Sequence, residues 1–141
     1  MTQAAIRLLA VALLVAGCAQ QPAAIPPAPL LETYWRAAEI EGVPYTPRPG
    51  VREAHLLLSD GRVTGFTGCN NLTGRYEHDT ARLTFKPPAT TRMACLPDSD
   101  IEQRFLSALN ATGSYRISGS MLVLIDGAGK TRMRLLARRG G

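Results

Sequence analysis

Turn signals at Asp60-Gly61 and Asp126-Gly127 divide this chain of 141 residues into short apolar segments, and this pattern restricts its fold more than any other feature. The first pair separates "EAHLLLS" from "RVTGFTG", and the second follows "SMLVLID" and precedes "TRMRLLA". Because both central residues of a two-residue hairpin turn need positive φ, an Asp-Gly pair between apolar runs predicts a β-hairpin. We therefore expect a fold built from short antiparallel strands.

Further strand candidates surround these turns. "YWRAAEI" is a plausible first strand, "LTGRYEHD" and "RLTFKP" form another predicted hairpin, "ATTRMAC" is an extended piece, and "SYRISG" pairs with "SMLVLID". "GVPYTPRPG" contains three prolines, which favour a loop or a sheet edge. The pattern predicts a mostly β (α+β) domain, a single curled, barrel-like antiparallel sheet of about eight short strands with one helix.

The helix is predicted near residues 98–111. Its apolar residues fall at i, i+4, i+7 and i+8 and therefore share one face: they are Ile101, Phe105, Ala108 and Leu109. Ser99 and Glu102 fit a capping box, in which each side chain bonds the other's backbone amide. Gly113 is the expected stop, because glycine tolerates the left-handed conformation at a helix end.

The N-terminus has the pattern of an export signal. Arg7 precedes an apolar run at residues 8–16 that is too short for a bilayer span of about 20 residues and is typical of a signal peptide. Val15-Ala16-Gly17-Cys18 resembles the bacterial lipobox, so residues 1–17 are interpreted as a lipoprotein signal peptide and Cys18 as the lipidated residue. The alternative is an unlipidated signal peptide with an incidental cysteine.

The rest of the chain divides into three parts. Residues 18–32 carry the lipidated cysteine and a Pro/Ala-rich tether, residues 33–137 form the domain, and residues 138–141 are a short basic tail. Residue 19 is Ala, where Asp commonly signals inner-membrane retention in Gram-negative lipoproteins. We therefore expect a lipid-anchored protein of the cell envelope, at the outer membrane and facing the periplasm.

The charge of the chain favours a lipid surface over nucleic acid. The formal net charge is +5, and removal of Arg7 with the signal peptide leaves 5 − 1 = +4. The basic residues are dispersed, and no basic helix or aromatic-interleaved patch is present, so no nucleic-acid partner is expected. Contact with acidic lipid head groups is the favoured use of the charge.

Two cysteines remain after lipidation of Cys18. In an oxidising compartment, the even pair Cys69 and Cys95 favours a disulfide, which would stabilise the fold by about 3.5 kcal/mol. Free thiols are the first alternative. A zinc site or a Cys–His nucleophile has less support, because His55 and His78 are not spaced to share a helix face. No metal is expected.

The segments between these elements carry a family pattern. "GFTGCNNLTGRY" contains Gly68-Cys69-Asn70 followed by a glycine and a tyrosine, "TTRMAC" comes next, and an L-x-L-x-D-x-x-G hairpin follows the helix. Together they resemble the META domain family of HslJ-like bacterial lipoproteins over about residues 33–136. One departure is Asn71, where family members often have Arg.

The resemblance implies a compact, mostly β domain with a helix, associated with the envelope and with heat or antibiotic stress. It supplies no catalytic residue and no cofactor, so we expect a non-enzymatic binding or structural module. The expected partners are the membrane, through the anchor, and an unknown envelope protein, peptidoglycan or lipid, with the domain itself a monomer. The candidate binding surface is Arg92 beside Asn70 and Asn71.

Two other functions stay open. A barrel of about eight strands can hold one small apolar ligand, and a cavity lined by Trp35 or Phe66 would indicate such a carrier. A protruding loop at residues 43–50 would instead indicate an enzyme inhibitor. Acidic residues near the helix start could serve as a catalytic pair, but the helix dipole explains them more simply; they are Asp98, Asp100 and Glu102.

Overall fold

The computed structural model describes residues 25–95 and 99–138. The predicted signal peptide, Cys18, most of the tether, Asp98 and residues 139–141 of the tail therefore lie outside the described residues. Among the described residues, no helix has the length and hydropathy needed to cross a lipid bilayer.

Ten strands and one helix make up the described fold. They are β1 (Trp35–Ile40), β2 (Val43–Pro44), β3 (His55–Ser59), β4 (Arg62–Phe66), β5 (Asn71–His78), β6 (Leu83–Phe85), β7 (Ala89–Thr90), α1 (Ser99–Ala111), β8 (Thr112–Ser118), β9 (Met121–Asp126) and β10 (Thr131–Ala137). The helix spans 99–111, within one residue of the predicted range 98–111 at each end, although the residue that ends it differs from the prediction, as described below.

Eight of the strands form one antiparallel path in the order β6-β5-β4-β3-β1-β10-β9-β8. The two ends of this path meet, since Arg82 bridges Ser114 and the Tyr115 amide donates to the Ala81 carbonyl at 3.0 Å. The sheet is therefore a nearly closed barrel, which confirms the predicted mostly β class. The two-residue strands β2 and β7 lie off this path, paired with β1 and β5.

The two Asp-Gly pairs turn the chain in different ways. Asp60 and Gly61 have φ of 46° and 73°, as the predicted two-residue hairpin requires. At the second pair the chain instead makes a longer loop, in which Gly129 has φ of 83°. The Asp126 carboxylate organises that loop by accepting the amides of Ala128 and Lys130, both at 2.9 Å. These backbone hydrogen bonds, with the Lys130 amide first, lower the pKa of Asp126.

Side chains fill the interior of the barrel. Trp35 and Phe105 have no exposed surface, and the same holds for most of the aliphatic core. The four predicted apolar residues of α1 are all buried. The helix lies across the end of the barrel where β10 begins, and the Arg132 guanidinium there donates to the Ser107 hydroxyl at 3.4 Å.

The end of α1 differs from the prediction. The helix ends at Ala111 and β8 begins at the next residue, so Gly113 is already part of a strand and is not the stop. The Thr112 hydroxyl closes the helix by donating to the Ala108 carbonyl at 2.7 Å. A buried hydroxyl therefore serves where a glycine was expected.

The N-terminal segment closes the other end of the barrel. The Ala28 amide donates to the Gly119 carbonyl at 2.8 Å, and the Glu32 amide donates to the Leu58 carbonyl at 2.9 Å. Leu30 is buried, and its carbonyl accepts the Trp35 indole N–H at 2.9 Å. The last residues assigned to the tether are thus packed against the domain.

Candidate functional site

The Gly68-Cys69-Asn70 turn between β4 and β5 is shaped by its neighbours. The Thr67 hydroxyl oxygen accepts the backbone amides of Cys69 and Asn70, at 3.3 and 2.9 Å. Gly68 has φ of 96°, and a Cβ at this position would lie 3.1 Å from Cγ1 of Ile101 on the helix. The Thr67 hydroxyl therefore caps this turn, and Gly68 supplies its left-handed residue.

The buried side chain of Asn70 connects three segments of the chain. Its Oδ1 accepts hydrogen bonds from the Thr91 hydroxyl and the Met93 amide, both at 2.8 Å. Its Nδ2 donates to Oε2 of Glu102 on α1 at 2.6 Å. We call Thr67, Asn70, Thr91, Met93 and Glu102 the Asn70 cluster. It fixes the β4–β5 turn and the segment after β7 to the helix.

Glu102 has a role that its capping-box position did not suggest. Its carboxylate accepts from a side chain 32 residues earlier in the chain. The spacing of Ser99 and Glu102 correctly predicted the start of the helix. It could not show that the buried Asn70 amide would also bond the Glu102 carboxylate.

A disulfide joins Cys69 to Cys95 beside the Asn70 cluster, with 5.8 Å between the two Cα atoms. Among the described residues, these sulfurs and the Glu102 carboxylate are the group that could hold a metal ion, with ligand atoms within 4.8 Å of one another. Metal binding by cysteine uses the thiolate. Joined as a disulfide, the two sulfurs therefore link the β4–β5 turn to the segment after β7 and do not offer thiolate ligands.

Of the three predicted surface residues, Asn71 and Arg92 are exposed beside Thr91, whereas Asn70 is buried beneath it and is not part of the surface. The Thr91 hydroxyl oxygen accepts the Asn71 amide at 3.0 Å, and Arg92 follows Thr91 on the exposed surface. Within the described residues Arg92 has no ion pair or hydrogen-bond partner. The Asn71 side chain is occupied, since its Oδ1 accepts a hydrogen bond from Arg52. The guanidinium of Arg52 also lies 4.0 Å from the centre of the Phe66 ring.

A cleft of about 180 Å³ opens next to this turn. Residues 43–51 form one wall, and Gly68, Ile101 and Arg104 contribute to the other. The loop wall is held in place because the Tyr45 amide donates to the Ala38 carbonyl at 2.8 Å and the Tyr45 hydroxyl accepts the Ala54 amide at 3.1 Å. From the sequence, this loop was considered only as a protruding inhibitor loop. Its position opposite the helix was not predicted.

The cleft combines apolar walls with an ion pair between Arg104 and Asp100. Exposed Val43 and Val51 face it from the loop, and Ile101 lines it from the helix. The Arg104 guanidinium contacts the Asp100 carboxylate at 2.5 Å. The Nε of Arg104 is buried and, among the described residues, has no acceptor. A bound group that presents an oxygen there would satisfy this donor.

A second polar group lies at β1 and β3, away from the cleft. The His55 ring stacks on Tyr34 with 4.3 Å between the centroids, and the Arg138 guanidinium lies 5.4 Å from the centre of the Tyr34 ring. Burial lowers the pKa of His55, and burial together with the nearby Glu53 carboxylate raises the pKa of Tyr34. Both effects favour the neutral forms of the two rings.

These features define a small β-barrel domain that is closed at one end by a single helix and stapled by a disulfide at a Gly-Cys-Asn turn. The META domain family model matches residues 28–139. The chain belongs to that family, as its motifs indicated.

Two solved structures share the fold. "NMR structure of the protein from Burkholderia xenovorans" is 24% identical, with a TM-score of 0.62 over 86% of this chain and 97% of that one. A second, titled "NMR structure of the protein", is 19% identical, with a TM-score of 0.58 over 74% of this chain and 88% of that one. At these identities the likeness shows the fold alone. A search of curated proteins found no match.

Proposed function

We propose that this chain is a lipid-anchored envelope protein, held at the outer membrane by Cys18, that works as a non-enzymatic binding module in heat or antibiotic stress tolerance. Its binding site is the cleft between residues 43–51 and α1. The lipobox-like Val15-Ala16-Gly17-Cys18 supports the anchor, and the positive charge supports contact with a lipid surface. Membership of the META family supports a role without a catalytic centre.

The cleft is the observation that best supports a binding site here, because the buried Nε of Arg104 in its wall is a donor without an acceptor among the described residues. The cleft is smaller than the 300–1,000 Å³ typical of sites for whole cofactors or drug-sized ligands. At about 180 Å³ it fits one side chain or a short chemical group. We infer that it receives an apolar side chain from an extended segment of an envelope protein.

The chemistry of the two walls defines that segment further. Val43, Val51 and Ile101 offer aliphatic contact, which favours an aliphatic or aromatic anchor residue. The unpaired Nε of Arg104 favours a backbone carbonyl or carboxylate oxygen next to that anchor.

The other two functions have less support. The barrel interior is filled by buried side chains that include Trp35, so the apolar cavity that a carrier needs is occupied. General acid–base catalysis needs two titratable groups positioned around a substrate. The Asp100 carboxylate at the cleft is already paired with Arg104, which supports a non-enzymatic role.

Site-specific photo-crosslinking in the native envelope tests the binding site. A photoreactive amino acid at exposed Thr46, which lines the cleft, should capture a discrete partner protein. The matched control is exposed Thr64 on the outer surface of β4, which should capture none. Capture from neither position, or equal capture from both, would refute the cleft as the binding site.

The anchor is tested separately. Radiolabelled palmitate should be incorporated into the wild-type chain in cells, and a Cys18→Ala variant should incorporate none and leave the membrane fraction. Incorporation that survives the substitution, or a wild-type chain without label, would contradict lipidation at Cys18. Growth at high temperature with and without the protein tests its contribution to stress tolerance.

A further inference from the structure

A mixed cationic and apolar face lies on the outside of the barrel where β1, β10, β9 and β8 run side by side. One row across these strands pairs Arg36 with Leu136, Leu136 with Met121, and Met121 with Ser118. The next row places Arg134 between Glu39 and Val123, and Val123 beside Arg116. We call the surface formed by Arg36, Arg116, Met121 and Leu136 the Arg36 face.

Alternation along the strands places these side chains outside. Trp35, Leu122 and Leu135 are fully buried, so their neighbours Arg36, Met121 and Leu136 point away from the core. Met121 is 37% exposed, which is unusual for a large apolar side chain in a strand. The apolar pair Met121 and Leu136 is therefore presented to the outside.

The charge on this face is positive. Arg134 is balanced by Glu39, with 3.4 Å between Nε and Oε1. Arg36 and Arg116 have no ion-pair partner among the described residues. The two rows therefore carry three arginines and one glutamate, which gives 3 − 1 = +2. A cationic surface with an apolar centre matches a bilayer that has anionic head groups.

The N-terminal segment leaves the domain at the edge of this face. Ile25, which is 77% exposed, lines an apolar hollow together with Gly119, Ser120 and Ala137. Ser120 and Ala137 are the chain neighbours of Met121 and Leu136, so the hollow continues the Arg36 face. Ile25 lies seven positions after Cys18, and a fully extended chain of that length reaches at most about 25 Å. A lipid on Cys18 would hold this side of the barrel next to the bilayer.

We propose that the Arg36 face rests on the surface of an anionic phospholipid bilayer. Met121, Leu136 and Ile25 lie among the head groups, while Arg36 and Arg116 contact lipid phosphates. The proposal rests on the lipid anchor proposed above, to which it adds a second attachment and a fixed orientation. The cleft lies at the other end of the barrel, beyond Ile40, so this orientation directs it away from the bilayer.

Binding to vesicles measures the contribution of the face without the anchor. The mature chain of residues 18–141 carrying Cys18→Ser is mixed with phosphatidylcholine vesicles that contain phosphatidylglycerol, and the bound fraction is measured by sedimentation. Arg36→Gln/Arg116→Gln should lower the partition coefficient about 30-fold, since one arginine near an anionic surface contributes about five-fold. Binding should also weaken with added salt and disappear on pure phosphatidylcholine.

The matched control is Arg62→Gln/Arg75→Gln. These exposed arginines lie opposite each other on β4 and β5, across the barrel from the Arg36 face, and their loss changes the net charge equally. The control should bind like the parent chain. Equal losses in both double variants would show attraction by net charge alone and would overturn the proposal, as would a parent chain that does not bind.

Fluorescence quenching locates the contact directly. A tryptophan at position 121 (Met121→Trp) should be quenched by lipids brominated in the acyl chain, whereas one at position 73 (Thr73→Trp) on β5 should not. Equal quenching at the two positions would overturn the orientation. The palmitate experiment has an independent outcome. If the chain incorporates no palmitate but the Arg36 face still binds vesicles, the anchor is refuted and the face is retained. If the chain incorporates palmitate but the two double variants lose vesicle binding equally, the face is refuted and the anchor is retained.

Discussion

Asn70→Asp is the substitution that tests the Asn70 cluster most directly, because it changes one buried donor and almost no volume. The new Oδ2 would stand where Nδ2 now donates to Glu102 across 2.6 Å. The acceptor role of Oδ1 toward Thr91 and Met93 would remain. Two carboxylate oxygens at this distance must share a proton, so the native variant binds one proton more than the unfolded chain near neutral pH.

The cost follows from that proton. Loading one proton at pH 7 onto a carboxyl group of ordinary acidity costs about 4 kcal/mol, at 1.36 kcal/mol for each pH unit. Protonation restores the hydrogen bond to Glu102, whereas the weaker contact of Nδ2 with the Met93 carbonyl oxygen at 3.4 Å is lost in addition. Against a total stability of about 5–15 kcal/mol for such a domain, the loss is large.

The sign of the pH dependence distinguishes this cause from a general packing defect. The shared proton raises a pKa in the folded variant, so stability is complete below the unfolded value near 4 and is lost as pH rises. Urea unfolding of the oxidised protein at several pH values should show the loss growing by about 1.4 kcal/mol for each pH unit from 5 to 7. Glu102→Gln in the same chain should restore most of the stability at pH 7, because it returns a donor to the pair. A pH-independent loss, or a double variant no better than Asn70→Asp, would refute the reasoning.

Three further predictions concern a glycine in the barrel, the disulfide and His55. Gly65→Ala should lower the free energy of unfolding by about 3 kcal/mol, because its Cβ would lie 2.2 Å from the His55 carbonyl oxygen, whereas Gly127→Ala has open space and should stay within about 0.5 kcal/mol; urea denaturation compares them. Cys69→Ala/Cys95→Ala should cost about 3.5 kcal/mol for a cross-link that spans 26 residues, and wild-type protein unfolded with and without reductant should show the same difference. Burial lowers the pKa of His55, so its contribution to stability is complete above pH 6.5 and is lost as pH falls through the lower folded value; NMR titration of its ring should give a midpoint below 6.5.

Local patterns predicted the hairpins because the chemistry of each turn is contained in a few adjacent residues. Asp60-Gly61 needs only two residues that accept positive φ, and the structure has them. Asp126-Gly127 also marks a hairpin, but the two-residue turn rule does not describe it. There the Asp126 carboxylate bonds amides two and four residues later, so a longer loop competes successfully with the two-residue turn. The strands on both sides, β9 and β10, were still placed correctly.

The candidate site was less predictable, because its contacts join residues far apart in the chain. The sequence placed Asn70 at a candidate binding surface, Glu102 in a capping box and residues 43–50 in a loop that could protrude. Folding brings them to one end of the barrel, where Asn70 bonds Glu102 and the loop faces the helix across the cleft. No spacing rule reports such a meeting. The paired cysteines were the one long-range signal, since an exported chain with two available thiols favours joining them.

The same contacts connect the family motif to the proposed binding site. Gly68 belongs to the Gly-Cys-Asn turn and also lines the cleft, and a Cβ at this position would lie only 3.1 Å from Cγ1 of Ile101. Movement of the Asn70 cluster would therefore move a wall of the cleft. Since Asn70→Asp loosens that cluster at neutral pH and much less at pH 5, crosslinking from position 46 should fall at neutral pH and recover on acidification. If the binding site lay elsewhere on the barrel, Asn70→Asp would still lower the stability of the protein. The molecules that remain folded would then capture the partner as efficiently as the wild type at both pH values.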